Sequence, residues 1–424
     1  AGTGKSFLLR RLVLSLRDAK GEESVFVTAS TGIAACNIGG LTVHSFSGIG
    51  LGKEDRKFLG DRVVRNRNAT KRWRAAHVLI VDEISMLDGD LLDKLEYVAR
   101  RVRNNEAPFG GVQLIMCGDF HQLPPVGMSD RGGGGRVKFC FQAECWERLV
   151  QSEFVLDQVF RQKDNRFVTL LNELRHGKVT AETIAHLQAA GSGLSDDMVP
   201  TRLFSTNSDV SAINRRHLAE LTGPEHTYDA VDSGLDPYRS NLQKNCQAAA
   251  RLSLKPGAQV MLLKNLDVKA GLVNGSRGVV VDFQEDTELD DDEVGVGGRG
   301  IKFPIVDFFS DSGDMKRRMI RPEEWTIEEG ASIKASRRQV PLKLAWALSI
   351  HKSQGMTIDA LTVNLSRVFE CGQAYVALSR ATSLERLRVE GFDPARVRAH
   401  PDVVRFYRRL KAKQLQMKFH KSRG

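Results

Sequence analysis

Apolar residues fall along this chain in two rhythms. Short unbroken runs at Val25–Ala29, Val78–Val81, Val112–Met116, Leu203–Thr206 and Leu361–Val363 have the length of strands. Continuous apolar runs suit strands buried on both faces, as in parallel sheets. Between them the spacing turns helical. It predicts helices near Phe7–Leu16, over Asp88–Asn104 with Leu91, Leu92, Leu95 and Val98 on one side, and over Phe167, Leu170, Leu171 and Leu174. Further helices are predicted at Asn207–Leu221, Gln373–Ala381 and Pro401–Gly424. Strands alternating with helices predict an α/β fold.

The rhythm breaks twice. Lys53–Arg74 is basic with few apolar positions, and reads as a small inserted subdomain or long loop. From Gly257 to Val340 the signals are strands (Gln259–Leu263, Gly278–Phe283), a turn at Asn274-Gly275, an acidic stretch Glu285–Glu293 and a glycine-rich stretch Gly295–Gly300. The last two read as hairpin tips, and the whole as a small β-barrel inserted into a second α/β domain. Met128–Arg136, with four consecutive glycines, reads as a surface loop. The expected division is 1–152 for a first domain with a basic insertion at 47–74, 153–256 and 341–424 for a second, and 257–340 for the inserted barrel. The α/β rhythm is expected to return with Leu342–Ile350.

Composition narrows the partners. The 424 residues carry a net charge of +10, which favours a polyanion, nucleic acid first and an anionic membrane second. No apolar run reaches the roughly 18 residues of a membrane span. The six cysteines form no C-x-x-C pair and the histidines no zinc spacing, so buried thiols in a reducing compartment are expected.

The chemistry gathers at two places. Val78–Val81 runs straight into Asp82 and Glu83. Charges at the carboxyl end of a buried parallel strand lie where such sheets bind ligands. On this reading Asp82 holds Mg²⁺ and Glu83 takes a proton from a water attacking a phosphate. Two solvated acids at a strand end are the plainer alternative. The second place is Gly2-Thr3-Gly4-Lys5-Ser6, the latter half of a G-x-x-x-x-G-K-[ST] phosphate loop. Its N–H groups cradle phosphates, Lys5 meets the outer ones and Ser6 ligates Mg²⁺. The first glycine of that motif and the strand feeding it would precede Ala1. The chain is therefore expected to open inside its own nucleotide loop and to bind ATP poorly as it stands. Gln122 follows another strand end, near where a terminal phosphate would sit. Phe46, in a glycine- and hydroxyl-rich stretch, offers a ring to a base or fills a core.

These motifs, in this order, resemble the Pif (petite integration frequency) DNA helicases of the RecD-like branch of helicase superfamily one. The resemblance rests on Gly2–Ser6, Thr28–Phe46, Leu79–Leu87, Gly118–Val126, Ser349–Thr357 and Tyr375–Ala381, and above all on Leu156–Gly177, which looks like that family's signature segment. It implies two RecA-like P-loop domains with parallel sheets and an SH3-like barrel insertion, with ATP and Mg²⁺ in the cleft between the domains. It implies 5′→3′ movement on single-stranded DNA and unwinding of forked or structured DNA in replication, repair, recombination and telomere maintenance. A monomer in the nucleus or mitochondrion, without a membrane partner, goes with it.

Roles follow by position. The resemblance implies Gly2, Thr3, Gly4, Lys5, Ser6, Gln354 and Gly355 at the nucleotide, Ser6 and Asp82 at the metal, and Glu83 at the attacking water. Gln122 would sense the γ-phosphate, and Arg161 and Arg380 would serve as arginine fingers. Single-stranded DNA would pass His44, Phe46, Phe120, His121, His351 and Lys352. Two alternatives stand beside this reading: the helicase module of a rolling-circle transposon protein, and a DNA-binding remnant that does not unwind.

Overall fold

The computed structural model describes residues 1–125, 138–192, 194, 200–205, 207–267, 270, 272–285, 302–309, 315–329, 332–358 and 360–421. The loop expected at Met128–Arg136 and the hairpin tip at Gly295–Gly300 lie outside these residues, as does all of Glu285–Glu293 except Glu285. Two parallel four-stranded sheets organise the chain. The first has the order Leu41–Thr42, Val25–Ala29, Val78–Asp82, Gln113–Met116. Its two central strands are buried along their whole length, as unbroken apolar runs require. The second has the order Ala347–Ser349, Thr201–Phe204, Leu361–Asn364, Leu387–Glu390.

The basic stretch after Gly52 is neither a loop nor a separate subdomain. It forms two helices, Arg56–Arg65 capped by Asp55 and Arg67–Ala75 capped by Asn66. Leu59, Val63, Ala69 and Trp73 project from them into the first core. Trp73 meets Phe46 edge-on with ring centroids 4.9 Å apart, and Phe46 meets Phe26 at 5.1 Å. Arg72, read from sequence as part of a solvated charge run, is buried, and its guanidinium donates to the carbonyls of Phe46 and Ser45, each at 2.9 Å. The few apolar residues of this stretch recur at helical spacing, and the long arginines hid that pattern.

The insertion is built of antiparallel strands, which begin earlier and end later than the expected 257–340. His226–Asp229 pairs with Arg251–Leu254, and Val231–Gly234 joins Ser332–Gln339 and Glu323–Glu329. A five-stranded sheet runs Met315–Met319, Lys302–Phe309, Arg277–Glu285, Gln259–Leu262, Leu342–Leu344. Leu342–Leu344 therefore closes the insertion, and the parallel sheet resumes only at Ala347.

Helix Pro401–Lys421 is expected in the second domain. It packs on the first, with Val403, Phe406 and Leu410 in the first core. Phe406 stacks on Phe141 at 4.5 Å, and Lys413 and Arg409 reach Glu153 and Glu147.

Phe46 is completely buried. Phe46→Ala is expected to destabilise the protein by about 3–5 kcal/mol through the cavity it leaves. Urea unfolding of the variant measures this. Unchanged stability with weakened DNA binding would return Phe46 to the role of a base-stacking platform.

Candidate nucleotide site

The phosphate loop lies at the start of helix Lys5–Lys20, whose first-turn N–H groups and positive end suit an anion. Gly4 caps that helix with φ +79°. Gly2 sits at φ +72°, and a Cβ there would come within 2.8 Å of Arg161 Cβ. The segment after the first domain lies directly on the loop, with the Phe160 N–H donating to the Gly2 carbonyl at 2.8 Å. Only glycine permits that approach at that φ.

Asp82 ends its strand in register with Ala29. It is buried, and burial raises its carboxyl. The Glu83 N–H, at 2.8 Å, together with Lys5 and the Cys117 thiol, works in the opposite direction. The next residue, Glu83, has left-handed backbone at φ +52° and ψ +47°, which costs a non-glycine residue about 1–3 kcal/mol. Its neighbours hold it there. Ser30 Oγ donates to the Glu83 carbonyl at 2.6 Å, the Ser30 N–H to the Asp82 carbonyl at 3.1 Å, and the Ile84 N–H to Cys117 O at 3.1 Å. Burial, and then the charge of Asp82, push the Glu83 carboxyl up to about 7, against the pull of Lys5 and Arg380.

The second half of the chain completes the site. Gln354 Nε2 donates to Glu83 Oε2 at 3.0 Å. Gly355 follows at φ +81°, with open space where a Cβ would be. Arg161 donates from Nη1 to the Ser379 carbonyl at 2.9 Å and from Nε to Thr357 Oγ1 at 3.1 Å. Burial, then Arg380, lowers its guanidinium to about 9. Arg380 is buried and donates to the carbonyls of Val376, Met356 and Ser353 and to Ser379 Oγ. Both arginines are thus tied to backbone carbonyls and hydroxyls.

Among the described residues no cluster of three or more His, Cys, Asp or Glu forms a metal cage. One buried carboxylate, Asp82, and one exposed hydroxyl, Ser6, are a donor set that fits Mg²⁺. That ion takes few protein oxygens and completes its shell with water and phosphate.

Gln122 is buried beside Asp119, its Nε2 3.4 Å from Asp119 Oδ2. Sequence reasoning passed over Asp119, which is buried and accepts from Arg175 Nη2 at 2.9 Å. Burial alone would raise this carboxyl, but Arg175 and other positive charges hold it well below the usual range. Its place in Gly118–Val126 and that of Arg175 at the end of the signature segment were the available signals.

The expected DNA contacts fare differently. Phe120 is buried against Phe141, at 4.9 Å, and Phe406, at 5.3 Å, so like Phe46 it presents no face to a base. His121 is buried between Tyr407 and His176, and burial lowers its imidazole to about 3. Both follow a strand end that helix Pro401–Lys421 covers, a long-range contact with no local signal. His44 is partly buried, and His351 Nε2 lies 3.5 Å from Glu370. The side chain of Lys352 lies outside what the structure describes.

Comparison with known proteins matches residues 1–185 to the model of the PIF1-like helicase family and residues 237–283 to that of the DNA helicase Pif1 2B domain. The ATP-dependent DNA helicase PIF1 of Homo sapiens is 46% identical over 415 residues, 97% of this chain and 60% of the relative. The chain thus spans about three fifths of the length of the curated relatives it matches. The crystal structure of Pif1 helicase from Candida albicans is 43% identical with a TM-score of 0.69, covering 97% of this chain and 94% of that one. Bacteroides sp Pif1 in complex with ADP-AlF4 is 30% identical with a TM-score of 0.75, covering 97% and 92%. The same Bacteroides protein bound to ssDNA gives 0.59 at 30% identity, covering 98% and 92%.

The raised Glu83 carboxyl carries a linkage. A folded value near 7 against an ordinary 4.5 means that the folded state holds this proton more tightly. The stabilisation is complete below about 4.5 and is lost as pH rises to about 7. Wild type should therefore lose thermal stability relative to Glu83→Gln across that window, with the gap constant above it. Parallel melting curves from pH 4 to 8 would contradict the assignment.

Proposed function

Because the chain belongs to the Pif1 helicase family, we propose that it is an ATP-dependent DNA helicase that moves 5′→3′ on single-stranded DNA and separates duplex, forked or structured DNA ahead of it. The observation that carries this reading is the hydrogen bond from Gln354 to Glu83, 3.0 Å long and 271 residues apart in sequence. It puts the candidate base of the first sheet in contact with the second, so chemistry and domain movement share a residue.

In this mechanism Gly2, Gly4 and the start of helix Lys5–Lys20 seat the phosphates, with Lys5 against the outer ones. Asp82 and Ser6 would hold Mg²⁺, which neutralises phosphate charge and orients its oxygens when bound. Glu83, with a carboxyl near 7, is poised to accept a proton from the attacking water at neutral pH. Glu83 stands beside Asp82, whose charge helps raise its carboxyl, so one acid is left for the metal and the other for the proton. Gln122 fixes the position of that water or of the terminal phosphate. Arg161 and Arg380 reach the transition state by exchanging carbonyl partners in the second half for phosphate oxygens. An arginine supplied in this way is worth roughly 10³–10⁵ in rate, so an open cleft idles and a closed one turns over.

The higher TM-score with the nucleotide-analogue complex than with the ssDNA complex fits a chain whose halves stand in a DNA-free arrangement. DNA binding would then re-set the halves and drive the arginines inward. The net charge of +10 supports a polyanionic track. Among the described residues no helix is long and apolar enough to cross a membrane.

In the intact protein, Glu83→Gln should keep ATP and DNA binding but lose about 10²–10⁴-fold in hydrolysis. Arg161→Ala and Arg380→Ala should each keep DNA binding and lose DNA-stimulated hydrolysis and unwinding. Their double variant should be little worse than the poorer single, since both act on one transition state. Steady-state turnover and strand displacement with saturating single-stranded DNA measure all of these. Near-normal turnover in Glu83→Gln would remove Glu83 from the mechanism.

A further inference from the structure

Helix Pro401–Lys421 brings Tyr407 to the loop that carries Gln122. The Tyr407 hydroxyl accepts from the Phe120 N–H at 3.1 Å and donates to Asp119 Oδ1 at 3.3 Å. Its ring stacks on His121, with centroids 4.6 Å apart and planes 14° apart. The Arg175 guanidinium lies 5.2 Å from the ring centre. Burial raises the phenol, so it stays a neutral donor.

Tyr407 and Arg175 therefore meet at Asp119, beside the Ala1 amino group 3.4 Å from its Oδ2. Tyr407 comes from a helix packed on the first core, and Arg175 from helix Asn165–Arg175, whose apolar face lies in the second. Gly372 arrives from the second half too, where a Cβ would come within 2.4 Å of the His121 carbonyl and 2.7 Å of the Gln122 carbonyl. An ionised carboxylate can only accept hydrogen bonds. Asp119 must therefore face the NH₂ end of the Gln122 amide, as the 3.4 Å contact has it. The amide oxygen is left for whatever lies on the other side.

We propose that Tyr407 is a positioning residue for phosphoryl transfer: its hydroxyl fixes Asp119 and the Phe120 N–H, and through them the orientation of Gln122 toward the terminal phosphate. The inference rests on the helicase reading above and deepens it. It makes a helix some 280 residues downstream part of the γ-phosphate sensor. A positioning residue of this kind acts on Gln122 through Asp119 and the Phe120 N–H, so its removal should act on turnover and leave nucleotide affinity alone.

The test uses the intact protein and Tyr407→Phe, which keeps the ring on His121 and under Arg175 but removes the hydroxyl. The expected result is a melting temperature within about 2 °C of wild type and unchanged KM for ATP and DNA affinity, with kcat for DNA-stimulated hydrolysis about tenfold lower, the size expected from losing a hydrogen bond to a carboxylate. Amide hydrogen exchange at Phe120 should quicken about tenfold as its acceptor disappears. Tyr407→Leu, which also removes the stack, should lower the melting temperature and marks what undocking of the helix looks like. Wild-type kcat in Tyr407→Phe would overturn the proposal. So would a loss matched by unfolding, or lost turnover with unchanged exchange at Phe120. If the wild-type protein shows no DNA-stimulated hydrolysis, the helicase reading fails. Exchange at Phe120 then decides alone: quickening upholds the clamp on the loop, and no change overturns it.

Discussion

A carboxylate taken out of water must find a partner, and this fold draws the partners from segments that pack in the second core. Glu83 sits at the end of a strand in the first sheet and receives its hydrogen bond from Gln354. Asp119 follows another strand of that sheet and takes its ion pair from Arg175, on a helix of the second core. Removing one partner of such a pair leaves the other charge buried and uncompensated, which is the costly event. The two halves are thus held in relation by the same acids that the chemistry uses. A movement that separates them unsettles the site, and a ligand that settles the site draws them together.

The positive groups obey a related logic. Arg161 is partly buried and Arg380 buried; among the described residues neither pairs with a carboxylate, and they donate to the carbonyls of Ser379 and Val376. Burial and mutual repulsion lower Arg161. A polyanion entering the cleft would relieve both. Two desolvated cations facing an acid of raised affinity for protons is an arrangement stable enough to fold and improved by a phosphate.

Much of this was legible in the sequence. The four apolar residues before Asp82-Glu83 and the Gly-Lys-Ser at the start fixed the first sheet and its ligand end, because both signals are local. The signature segment pointed to Arg161 by resemblance, not by spacing. What the sequence hid was contact at long range. Phe46 and Phe120 look like exposed rings beside glycines, and only Trp73 on one side and Phe406 on the other bury them. The arginines of Arg56–Ala75 masked an amphipathic pair of helices, because Leu59, Val63 and Trp73 are few among many charges. The insertion's outer strands, Val231–Gly234 and Leu342–Leu344, are too short and mixed to announce their sheet. Asp119 and Tyr407 stand far apart in sequence, and neither hints at the other.

The site's base belongs to both halves. The most direct measurement is the pH dependence of DNA-stimulated ATP hydrolysis in wild type and Gln354→Ala. A donor to a carboxylate favours its charged form, so its removal should raise the carboxyl further. Wild-type turnover should rise with pH as Glu83 loses its proton, and the midpoint of that rise should lie at higher pH in Gln354→Ala, whatever happens to the maximal rate. An unmoved midpoint would mean that Glu83 titrates without regard to the second half, and would contradict the claim.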